Sequence, residues 1–124
     1  MTEVKRSLRV ASHLAKELAW LIERDLRDPR AAGATVTRVE MTDDLRSATV
    51  YVRLLQGGEE PSRRREALGT LTRAGALLRR SAARRMGLKY APELRFVYDE
   101  GQDHTARIEA LLGEVQADEA RRKP

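Results

Sequence analysis

Residues 48 to 54 read Ala-Thr-Val-Tyr-Val-Arg-Leu, and their alternation limits the fold more than any other stretch of the chain. Ala48, Val50, Val52 and Leu54 fall on one side of an extended segment, Thr49, Tyr51 and Arg53 on the other. Only a strand has a side-chain period of two. One face must therefore be buried and the other left to solvent, as in a sheet covered on one side. A partner strand precedes it: residues 35 to 41, TVTRVEM, are rich in β-branched side chains. The connection TDDLRS carries Asp43 and Asp44, which suit a turn, so the two segments predict an antiparallel hairpin. A third strand is predicted at LRFVY, residues 94 to 98, with Leu94, Phe96 and Tyr98 sharing a face.

Amphipathic helices must supply the cover. Leu8, Ala11, Leu14, Ala15, Leu18, Leu21, Ile22 and Leu26 form one helical stripe, which Asp28-Pro29 stops. The opposite side carries Arg6, Arg9, His13, Lys16, Trp20, Arg24 and Arg27. That face either meets an anion or is simply solvated, and Trp20 either stacks on a base or is half covered by a loop. Pro61 and Ser62 start a second helix through Leu68 and Leu71. Ala74-Gly75-Ala76 then interrupts it: glycine inside a helix costs about 1 kcal/mol relative to alanine, so Gly75 is either tolerated or used to bend the chain. Leu78, Ala82 and Met86 predict a further helix that Gly87 caps. Asp103 or Thr105 is expected to cap a short last helix using Ile108, Leu111, Leu112 and Val115. Residues 1 to 115 are read as one domain, and residues 116 to 124, which lack an apolar period, as a disordered tail.

A chain of 124 residues can bury a single core without a staple. Cysteine is absent and the histidines are His13 and His104, which excludes disulfides, cysteine-ligated zinc and a thiol nucleophile. Asp43 and Asp44 lack a third nearby ligand, so no metal is expected. There is no G-x-x-x-x-G-K loop, no H-E-x-x-H helix and no Ser-His-Asp set, so neither catalysis nor a cofactor is expected. The longest apolar run, residues 18 to 22, is too short to span a bilayer, and the N-terminus has no signal-peptide core. These features fit a cytoplasmic protein without a membrane partner.

Charge is the strongest functional signal. The chain carries +5, yet between Pro61 and Pro92 nine cations stand against Glu66 alone, a local net of +8. They are Arg63, Arg64, Arg65, Arg73, Arg79, Arg80, Arg84, Arg85 and Lys89. A basic block within an otherwise mildly acidic chain predicts a local anion-binding surface. Arginine outnumbers lysine by 20 to 4; codon bias accounts for that preference but not for the missing acids.

The predicted order, α-β-β-α-kink-α-β, is that of a type II KH domain, an α+β fold with a three-stranded sheet and helices on one face. KH domains clamp single-stranded RNA over a G-x-x-G turn, and no two glycines here lie three apart. Three segments, RVASHLAKELAWLIERDLRDPR, VTRVEMTDDLRSATVYV and AGALLRRSAARRMGLKYAPELRFVYD, together strongly resemble the bacterial ribosome-binding factor A family. That family has a KH-like fold with an Ala-x-Gly kink in place of the glycine loop. Here glycine takes the middle place of Ala74-Gly75-Ala76. The resemblance implies a non-catalytic assembly factor, monomeric when free, that binds the immature small ribosomal subunit and its rRNA and assists late maturation or processing. The nine cations of the basic block, with Lys5, Arg6 and Arg9, are the expected RNA contacts. The alternative is a basic adaptor for an acidic protein partner, which ribonuclease treatment of the complex would distinguish.

Overall fold

The computed structural model describes residues 3–101, with side chains from Arg6 onward. Helix α1 spans Glu3–Asp25, strands β1 and β2 span Ala34–Met41 and Ser47–Leu54, helix α2 spans Pro61–Met86, and strand β3 spans Glu93–Tyr98. The expected last helix, the tail and Lys5 lie outside the described residues or side chains.

The sheet order is β1-β2-β3. β1 and β2 are antiparallel, as the hairpin reading expects, from Ala34↔Leu54 to Met41↔Ala48. β2 and β3 are parallel, from Ser47↔Glu93 to Val52↔Tyr98. Parallel neighbours need a crossover, and α2 is that crossover. β2 keeps its alternation, with Ala48, Val50, Val52 and Leu54 all buried. In β1 the register shifts between Val36 and Arg38. This bulge brings Val36, Val39 and Met41 onto one core face although their numbers change parity. Thr37, the extra residue, donates from Oγ1 to Asp99 Oδ2 at 2.6 Å.

Leu14, Leu18, Leu21 and Ile22 of α1 meet Val50, Val52 and Phe96 of the sheet and Leu71, Leu78 and Ala82 of α2 in one core. α1 lies over β1 and α2 over β3. After α1 the chain makes a 3-10 turn at Pro29–Ala31. Asp28 caps this turn, accepting from the Arg30 backbone N–H at 3.0 Å and from its guanidinium at 3.0 and 2.7 Å.

The KH-like α+β architecture stands, but the expected interruption at Ala74-Gly75-Ala76 does not. α2 is one helix of 26 residues through all three positions. Gly75 is buried, and a Cβ placed on it would lie 3.9 Å from Phe96 Cε2. One glycine between two alanines costs too little to break a helix whose flanks, Leu71 and Leu78, are anchored in the core. The true end is Gly87, at φ 69°, where the Leu88 N–H donates to Ala83 O at 2.9 Å.

Candidate nucleic-acid interface

Eight of the nine cations of the basic block divide into two groups. Several are structural ties. Arg63 donates to Arg30 O at 2.7 Å and to Ala32 O at 3.3 Å, fixing the start of α2 to the turn after α1. Arg64 donates to Gly58 O and, at 3.0 and 3.2 Å, to the Glu100 carboxylate, with its guanidinium 4.2 Å from the Tyr98 ring centre. Half-buried Arg79 donates to Ala91 O at 3.2 Å and so holds the loop before β3. Arg85 pairs with Glu17 at 2.5 Å and lies 4.0 Å from the Trp20 ring centre. This hydrogen bond holds the Glu17 carboxyl below its usual range, so the charge of Arg85 is largely offset within the fold.

The second group faces solvent. Arg65, Arg73, Arg80 and Arg84 are exposed along the side of α2 turned away from Leu71, Leu78 and Ala82. Among the described residues Arg65, Arg80 and Arg84 have no hydrogen-bond or ion-pair partner, and Arg73 reaches only Thr70 Oγ1, at 3.2 Å. From Arg65 to Arg84 the ridge runs roughly 28 Å at the helical rise. Gly69, Thr72 and Ala76 lie between the arginines, and Leu77, 59% exposed, shares their face. Arg80 and Arg84, one turn apart, repel by a few tenths of a kcal/mol. The C-terminal dipole offsets this at Arg84 but not at Arg80 or Arg65.

On α1, Arg6, Arg9, His13, Lys16 and Arg24 are exposed, as the helical wheel expects, and Arg27 is exposed just beyond the end of the helix. Trp20 is 38% exposed and lies between Arg24, at 4.8 Å, and Arg85. Arg85 thereby joins the outer side of α1 to the end of the α2 ridge. Exposed Lys89 lies 5.5 Å from the Tyr90 ring centre, with Arg46 at 4.7 Å. The sequence reading missed Arg46 and Tyr90, because their meeting depends on the parallel pairing of β2 and β3. Among the described residues no group of three His, Cys, Asp or Glu could hold a metal ion. Nor is any described helix long and apolar enough to cross a membrane.

A family model described as ribosome-binding factor A matches residues 6–112. The chain belongs to the ribosome-binding factor A family. It is 54% identical over 113 residues to the ribosome-binding factor A of Sorangium cellulosum, spanning 91% of this chain and 90% of that one. Among solved structures of the family it is similar to the crystal structure of ribosome-binding factor A from Thermus thermophilus, with 30% identity and a TM-score of 0.63. That match covers 74% of this chain and 94% of the other. It is also similar, at 32% identity and a TM-score of 0.60 over 73% and 92% of the two chains, to a homology model of the Thermus thermophilus factor fitted into the cryo-EM map of a 30S-RbfA complex.

Proposed function

We propose that this chain binds the immature small ribosomal subunit as a cytoplasmic monomer and assists a late step of rRNA maturation without catalysis. One observation carries the reading: the ridge of Arg65, Arg73, Arg80 and Arg84 on the outer side of α2, in which Arg73 feels the Asp28 carboxylate and the other three have no ion-pair partner among the described residues. Family membership supports the small subunit as the partner, since a homology model of a relative has been fitted into the cryo-EM map of a 30S-RbfA complex. Phosphate contacts supply most of the affinity, and rRNA shape with subunit context supplies the specificity. The absence of catalytic motifs from the sequence supports a binding role.

Reversing Arg80 and Arg84 to Glu tests this reading. Both side chains are exposed and without partners among the described residues, so the melting temperature is expected to stay within a few degrees of wild type. Co-sedimentation with small subunits is expected to fall at least tenfold, and the slope of log K against log salt to shrink by about two. Unchanged co-sedimentation rejects the ridge as the binding surface. A complex that survives ribonuclease points instead to an acidic protein partner.

A further inference from the structure

Tyr90 is 53% exposed in the loop between α2 and β3 and has two cations against its ring, Arg46 at 4.7 Å and Lys89 at 5.5 Å. It borders an open hollow of about 550 Å³, whose other walls come from Arg6 of α1 and from Asp43, Asp44 and Leu45 of the β1–β2 turn. That is the size of a small-ligand site. The three segments are tied together. The Glu93 N–H donates to Arg46 O at 2.8 Å, and the Ser7 hydroxyl donates to Asp43 Oδ1 at 3.4 Å. Asp44 Oδ1 accepts from the Thr42 hydroxyl at 2.7 Å and from the Arg46 N–H at 3.0 Å, which fixes the turn.

The geometry points to Tyr90 as a stacking platform for one unpaired base of RNA, with Arg6, Arg46 and Lys89 holding the flanking phosphates. Beside the ring only the half-buried Leu45 and Leu88 are apolar in the lining, a smaller patch than the apolar core that a protein partner would bury. The hollow does offer what an unpaired nucleotide uses, a ring face for the base and positive charge for the backbone. The two carboxylates set the orientation. They repel a phosphate and accept N–H groups from a base edge, so the base enters the hollow and the backbone stays with the cations. Stacking outweighs an exposed cation–π contact, so the arriving base displaces one cation from the ring and frees it for a phosphate. Trp20 is the poorer platform, because Arg85, which Glu17 holds, lies over its ring.

This inference rests on the RNA-binding reading above and can fail separately from it. The full chain would be titrated into a labelled single-stranded oligonucleotide of small-subunit rRNA sequence at several salt concentrations, followed by fluorescence anisotropy. Tyr90→Ala is expected to weaken binding roughly tenfold without changing the salt slope, since stacking releases no counterions. Tyr90→Phe keeps the ring and the affinity, while Lys89→Ala lowers the slope by about one. Wild-type binding that Tyr90→Ala leaves unchanged overturns the platform and spares the RNA reading. An equal loss on a fully paired duplex also overturns it, because a duplex has no free base to stack. A wild-type chain that binds no oligonucleotide removes both.

Discussion

Gly75→Ala puts the continuity of α2 to a quantitative test. If residues 74 to 76 were a turn between two helices, an added methyl group would disturb it. In the observed helix Gly75 has no positive φ, and the new Cβ would lie 3.9 Å from Phe96 Cε2, an ordinary contact distance. Replacing a helix-interior glycine by alanine stabilises by about 1 kcal/mol, and burying the methyl against Phe96 adds up to about 0.8 kcal/mol. Each kcal/mol raises the melting temperature by about 4 °C in a domain of this size. Gly75→Ala is therefore expected to melt about 4 to 7 °C higher by far-UV circular dichroism, with its urea midpoint raised and its m-value unchanged. Gly87→Ala is the matched control. At φ 69° with nothing within 4 Å, an added Cβ gains no contact and must hold a left-handed backbone, so it costs about 1 kcal/mol. A Gly75→Ala chain that melts lower than wild type would refute the continuous helix.

Two further outcomes follow from the fold. Arg30 and its backbone N–H hold the Asp28 carboxyl down from 3.8 to about 2; since the folded value is the lower, the unfolded chain binds more protons between the two. The contribution of Asp28 to stability is thus complete above pH 3.8 and is lost as pH falls towards 2, and a carboxyl titration by NMR with its midpoint near 3.8 would contradict the cap. Leu71, at 0% exposure beneath α2, is expected to cost about 3 kcal/mol on truncation to alanine, read as a lower urea midpoint at constant m; a cost under 1 kcal/mol would mean that α2 is not anchored there.

The parts of the fold written as side-chain period could be read directly. β2 alternates in sequence and in burial alike, and of the predicted α1 stripe Ala11, Leu14, Leu18, Leu21 and Ile22 are buried and Ala15 and Leu26 half-buried, whereas Leu8, one turn from the start of the helix, is 66% exposed. β1 was harder, since Val36 and Val39 both pack on the core only because a bulge at Thr37 resets the alternation. A change of parity between two apolar residues was the available signal. The predicted break at Gly75 failed because local propensity is weak beside burial on either side of it. The basic block was plain from composition, but its division was not. The tying partners of Arg63, Arg64 and Arg79 include the carbonyls of Arg30, Ala32, Gly58 and Ala91. A carbonyl carries no residue label, so nothing in the sequence marks it as a partner.

That division also sets which cations can be exchanged. The guanidinium of Arg63 spans two carbonyls and that of Arg64 joins a carbonyl, a carboxylate and a ring face. A lysine ammonium is a compact point charge that cannot reproduce the planar fork. Along Arg65, Arg80 and Arg84 the fold asks only for positive charge on a long stem, which either residue provides. The preference for arginine over lysine in this chain therefore has two layers: at the ties between loops and helices the geometry requires it, and along the outer ridge it is free to drift without loss of the fold.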